Sequence, residues 1–146
     1  MTNYGGVSMA LKTFDKGQTI HDRAAHIWQI LVPWVTWKMT DKMRPGLITY
    51  GRLAEELGYS AQAGRTLAKP LGSLANFCEK EGIPALNAVV VRRDTELAGD
   101  GVWTAIYAHP EDEVEAVLRH VWRSYKAPTP RQFRTAWEET QAELVG

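Results

Sequence analysis

Gln62, Arg65, Thr66 and Lys69 recur at i, i+3, i+4 and i+7 in a segment, Ala61 to Lys69, that reads as a short helix. On an α-helix this spacing makes one exposed stripe. Its chemistry is recognition. A glutamine amide pairs with the edge of adenine, an arginine fork with guanine, and a lysine with phosphate. Arg92 and Arg93 close a β-branched run and can grip a nucleic-acid backbone. Tyr50 opens the preceding helical segment. Tyr50, Gln62, Arg65, Thr66, Lys69, Arg92 and Arg93 therefore form the candidate nucleic-acid-binding set. The same residue types also suit a solvated face on a protein-binding module, which is the alternative.

Catalytic patterns are weaker. Cys78 lies beside Phe77 and at i+4 from Leu74, on an expected apolar face, where a structural thiol is favoured over a nucleophile. His21 and His26 are five residues apart and do not share a helix face as a zinc pair would. His109, Glu111 and Asp112 read as a helix start with solvated acids. Neither a phosphate loop nor a nucleophile elbow is present. The expectation is a chain with no catalytic residue, no metal and no cofactor.

The 146 residues suit one domain with a real core, and 45% hydrophobic content argues against disorder. The six tryptophans, Trp28, Trp34, Trp37, Trp103, Trp122 and Trp137, mostly fall in apolar periodic segments, which favours core packing over base stacking. Lys+Arg and Asp+Glu both total 17, so the overall field does not attract nucleic acid. Locally, Ala61 to Arg93 carries Arg65, Lys69, Lys80, Arg92 and Arg93 against Glu79 and Glu81. One cysteine excludes an intrachain disulfide and a multi-cysteine zinc site. No apolar run approaches the roughly 18 residues of a membrane span, and Met1 to Gly17 lacks a signal-peptide core. A cytoplasmic protein with no membrane partner is expected.

Residues 1–18 read as a flexible arm and 19–146 as a single domain. Thr19 can cap a helix from Ile20 to Lys38, which Pro33 should kink or split. Thr49 can cap Tyr50 to Leu57, and Gly58 can stop it. Ser60 can cap Ala61 to Lys69, and Pro70 suits the first turn of a third helix ending at Gly82. Ala85 to Arg92 reads as a strand, Gly99-Asp100-Gly101 as a turn, and Val102 to Tyr107 as the returning strand of a hairpin. A helix from Glu111 to Tyr125 and a final one from Arg131 to Leu144 are separated by Ala127-Pro128-Thr129-Pro130. Phe133, Trp137 and Leu144 are the apolar positions of that final helix.

Ile48-Thr49-Tyr50-Gly51-Arg52-Leu53-Ala54, with the following Gly64-Arg65-Thr66-Leu67, resembles the DNA-binding domain of the alkylguanine-DNA alkyltransferases and of the alkyltransferase-like proteins. Those carry a T-Y-G-x-[LIV]-A segment, a recognition helix and a P-C-H-R-V strand. The resemblance covers about Ile48 to Gly101. It implies a winged helix with Tyr50 on the DNA side. It does not imply alkyl transfer. Leu86 stands where the alkyl-accepting cysteine belongs and Asn87 where its histidine does. The base-replacing arginine aligns near Ala61 or Gln62. An additional helix, about Leu71 to Glu81, separates the recognition helix from the strand.

The expected fold is mainly α with a small β-hairpin (α+β). A winged helix-turn-helix core at about residues 48–107 would be flanked by N- and C-terminal helices. The expected function is a non-enzymatic nucleic-acid-binding protein, regulatory or accessory, with DNA as partner. The alternative is a small protein-interaction module or inhibitor, of the kind phages and mobile elements encode against host defences.

Overall fold

The computed structural model describes Phe14, residues 19–94 and residues 109–146. The rest of the expected arm, the Gly99-Asp100-Gly101 turn, Trp103 and the returning strand Val102 to Tyr107 lie outside the described residues. The fold is mostly helical, with a small two-stranded sheet. Among the described residues, no helix is long and apolar enough to cross a membrane.

Helix α1 spans Ile20–Thr36. The Thr19 hydroxyl accepts from the Asp22 amide (3.2 Å), and the Asp22 carboxylate accepts from the Thr19 amide (3.3 Å), a reciprocal cap. Pro33 does not split the helix. It forfeits one backbone bond, but Pro33 and Gln29, whose carbonyl loses its partner, are both exposed, so water can replace that bond. The inner face of α1 carries Trp28, which meets Trp122 edge-on (centroids 5.6 Å apart) and Phe77 (6.1 Å).

After β1 (Ile48–Thr49) come α2 (Tyr50–Glu56), a 3-10 segment (Ala61–Leu67) and α3 (Ala68–Glu81). The expected break between a recognition helix and a third helix is absent, because the 3-10 segment runs directly into α3. Pro70 falls in the first turn of α3, where its missing N–H has no helical partner to lose. Gly82 (φ 71°) ends α3, with the Ile83 amide on the Cys78 carbonyl (3.0 Å).

Ala85 to Arg92 is not the expected strand. Leu86–Val89 is a second 3-10 turn, and only Val90–Val91 forms β2. This turn packs against α1, α3 and α4 (Pro110–Arg119) at once. A two-faced strand cannot bury every residue against three helices in this way, so packing overrides the β propensity of the valines. Strand β2 pairs with β1 in parallel, Ile48 opposite Val90 and Thr49 opposite Val91, so the described sheet is not a hairpin.

The expected helix Glu111 to Tyr125 also differs. Helix α4 stops at Arg119, His120 is extended, and Trp122–Ser124 is a third 3-10 turn. Breaking the helix buries Trp122 and leaves Val121 outside. The Trp122 indole N–H donates to the Val117 carbonyl (2.8 Å), so the larger side chain enters the core with its polar atom satisfied. Glu113 lies in the first turn of α4. It is fully buried and accepts from the Ala85 amide (3.0 Å).

Helix α5 (Pro130–Val145) begins with a second reciprocal cap, between Thr129 and Gln132. It packs on α1 and α3, with Phe133 buried and Leu144 exposed. Lys80 on α3 pairs with Glu139 and Glu143, and the Thr140 hydroxyl donates to Asn76 (2.7 Å). Where α1, α3 and α5 meet, His21 Nδ1 lies 2.9 Å from the buried Ser73 hydroxyl.

Replacing Trp28 or Trp122 with alanine should cost about 3–5 kcal/mol, measured by denaturant titration. A loss below about 1 kcal/mol would place that ring outside the core. Burial also pulls the pKa of His21, His26 and His120 below the usual 6.5, with the Arg134 charge adding to the effect at His21. As pH falls through about 6.5, the unfolded chain therefore takes up protons before the native one. Stability should be full above that pH and decline below it, until the native histidines also protonate. Titrations repeated between about pH 8 and pH 5 test this, and a midpoint that rises on acidification would contradict it.

Candidate nucleic-acid interface

The candidate face is assembled on α2. The Thr49 side chain accepts from the Arg52 amide (3.1 Å) and starts the helix as it leaves β1. Gly58 (φ 91°) ends it, with the Gly58 amide on Glu55 O and the Tyr59 amide on Ala54 O, both at 2.9 Å. This left-handed cap turns the chain within Leu57 to Ser60 and sends it back across α2. Ser60 occupies the next N-cap position in extended backbone, but its hydroxyl makes no capping bond.

The returning segment lies with its backbone on that of α2. A Cβ on Gly64 would sit 2.9 Å from the Tyr50 carbonyl carbon and 3.1 Å from the Gly51 nitrogen. A Cβ on Gly51 would meet Ala61 at 3.4 Å. Two glycines thus set the spacing of this crossing.

Ala61 to Lys69 is not the α-helix expected. At three residues per turn, Gly64 and Leu67 form the inward row, while Gln62 and Arg65 share an outward row. Thr66 falls on a third row and donates its hydroxyl to the Ala63 carbonyl (2.6 Å). Lys69 belongs to the first turn of α3 and borders an apolar pocket with Ile20, Gly72 and Trp137. Gln62, Arg65, Thr66 and Lys69 are all exposed, but the single stripe is replaced by the Gln62–Arg65 row with Thr66 and Lys69 turned aside.

The sheet supplies the other half of the face. Because Thr49 and Val91 are parallel partners, Tyr50 and Arg92 leave the sheet side by side at the same end. Gly64 touches the backbone of Tyr50 and carries Arg65 next to it in the chain. Tyr50, Arg92 and Arg93 therefore lie together at the start of α2, and Arg65 follows the glycine that touches the Tyr50 backbone. Tyr50 is half-buried and packs on the core, whereas the three arginines are exposed. Among the described residues, Arg65, Lys69, Arg92 and Arg93 make no ion pair.

Arg52, absent from the sequence-derived set, is held differently. It binds Asp41 (3.2 Å) and Glu56 (3.0 Å), and its guanidinium stacks over the Trp34 ring at 5.5 Å. The Glu56 partner was legible at i+4, but Asp41 and Trp34 were not. Arg52 anchors α2 to the loop before β1, and its fork is already occupied.

The other chemistry-bearing residues are dispersed. Cys78 is fully buried, and burial pushes its thiol up to about 12, so it stays protonated at neutral pH. Leu86 is buried in its 3-10 turn. His26 stacks on Phe14 (4.3 Å), away from the bond between His21 and Ser73. Glu111 pairs with Arg44 (2.7 Å). Among the described residues, no group of three His, Cys, Asp or Glu side chains is placed to hold a metal ion.

Comparison with known protein families, with curated proteins and with solved structures finds no match for this chain.

Gly64→Ala should destabilise the protein by about 1–3 kcal/mol, because the new methyl meets backbone rather than a side-chain tip. A thermal or denaturant midpoint equal to wild type would show that the crossing has slack.

Proposed function

We propose that this chain is a non-enzymatic nucleic-acid-binding protein of the winged-helix kind, related in shape to the alkyltransferase-like DNA-binding domains. It would be cytoplasmic, with duplex DNA as its partner. In this reading α2, the Leu57 to Ser60 turn and the 3-10 segment form the helix-turn-helix. Arg92 and Arg93, which follow β2, would lead into the wing expected from the sequence, which lies outside the described residues. The observation that carries it is that Arg92 and Arg93 leave the sheet beside Tyr50, that Arg65 follows the glycine packed on the Tyr50 backbone, and that all three arginines are exposed and make no ion pair among the described residues. Backbone-on-backbone packing at Gly64 gives that arrangement a rigid base, which base readout needs. Zero net charge means little long-range attraction, so affinity depends on these local contacts and on low salt.

A protein partner is the second reading. It is favoured by Trp37, which is 69% exposed at the end of α1. An indole in that position is typical of an interface anchor.

Fluorescence anisotropy with labelled duplexes, across a range of salt concentrations, separates the two. Arg65→Ala should weaken preferred duplexes by about 1–3 kcal/mol and relax sequence preference. The double variant Arg92→Ala, Arg93→Ala should weaken all duplexes alike and lower the salt slope by about one unit per lost phosphate contact. If wild type shows no salt-dependent binding to duplex or single strand, the nucleic-acid reading is wrong. Loss of a co-purified protein partner on Trp37→Ala would then support the alternative.

A further inference from the structure

A second charged feature lies where the C-terminal ends of α1 and α4 meet. Lys38 follows the C-cap of α1 with φ 50°, in the left-handed conformation usually left to glycine. The Met39 amide closes on Trp34 O (2.9 Å), which completes the cap. Because a side chain is disfavoured there, its contacts are informative. The Lys38 ammonium donates to Val35 O (2.9 Å) at the end of α1 and to Leu118 O (2.8 Å) at the end of α4. It is thereby fixed in the wall of a cavity of about 210 Å³.

Arg119, Arg123 and Thr36 share that cavity, and among the described residues no Asp or Glu lines it. Both arginines are exposed and make no ion pair among the described residues. His120 lines it too, with Nε2 2.7 Å from the Tyr125 hydroxyl. When that hydroxyl donates to Nε2, the ring proton sits on Nδ1 and remains available as a donor. Three of the chain's 17 basic side chains thus line one small cavity that holds no acidic side chain among the described residues, in a protein of zero net charge.

The helix ends oppose an anion, and their size can be weighed. Each C-terminus contributes about half a negative charge, so two remove about one unit from three cations and leave about +2. A phosphate monoester carries about −1.5 to −2, whereas a phosphodiester carries about −1. Arginine forks match phosphate oxygens in geometry as well as charge.

We propose that this cavity is a binding site for a phosphate monoester dianion, held by Lys38, Arg119 and Arg123. It is independent of the duplex-binding face, since it shares none of Tyr50, Arg65, Arg92 or Arg93.

The test is a titration of the full chain with inorganic phosphate at about pH 8, where the dianion dominates, with ionic strength held constant by chloride. NMR of arginine side-chain Nε–H signals is the readout. Saturable, one-to-one shifts are expected, and Arg119→Gln with Arg123→Gln should weaken binding by about tenfold or more. Lys38→Gly suits the left-handed backbone and removes the ammonium, so it should also weaken binding in a folded protein. Non-saturating shifts, or variants that fold and bind phosphate as wild type does, would overturn the proposal. Competition by a 5′-phosphorylated duplex, but not by its 5′-hydroxyl counterpart, would support the site and give a nucleic-acid end as the source. Competition by neither duplex, with phosphate still bound, would support it with a small phosphorylated ligand as the source. Equal competition by both would overturn the preference for a monoester.

Discussion

Eight consecutive residues, Pro84 to Val91, are withdrawn from solvent, and the arrangement of the other elements follows from accommodating them. A buried segment must satisfy its backbone polar groups internally. The 3-10 turn satisfies some locally, pairing with β1 satisfies others, and the buried Glu113 carboxylate accepts the Ala85 amide. Helices α1, α3 and α4 cover the apolar side chains. A carboxylate is costly to bury, and its hydrogen bond to the chain offsets part of that cost. Glu113 thus ties the start of α4 to the central segment.

The same segment positions the candidate interface. Parallel pairing with β1 brings the exit of β2 beside the start of α2, so Arg92 and Arg93 emerge next to Tyr50. The route from α3 to β2 is closed by the left-handed Gly82 cap and the buried turn. On the other side of α2, Gly51 and Gly64 let the 3-10 segment approach until backbones touch. The candidate side chains at this face therefore stand on backbone-to-backbone contacts, which deform less than side-chain contacts do.

Charge is partitioned by location. Arg52 and Lys80 are engaged with carboxylates and hold elements together. Among the described residues, the cations near Tyr50 and those near Lys38 are not engaged in this way, and they lie on different elements. Zero net charge thus conceals local excesses that a whole-chain sum cannot reveal.

The sequence alone determined α1, α2 and α5, the existence of α3 and α4, and several helix ends. Thr19, Thr49 and Thr129 were readable as caps, and Gly58 and Gly82 as stops, because capping depends on residues within four positions. The core roles of Trp28, Phe133 and Cys78 followed from helical periodicity for the same reason. Tertiary structure decided the rest. Whether Ala61–Leu67 is α or 3-10 depends on how closely Gly64 approaches Tyr50, a contact set by packing. The core role of Trp122 was readable too, but where α4 stops to admit it depends on the space left beside Trp28. The parallel register of Val90 and Val91 on Ile48 and Thr49, and the burial of Glu113, join residues far apart in the chain. Local pattern carries no record of such partners. Their free energy is realised only when the helices close over the central segment, and that closure chose among conformations the sequence left nearly equal.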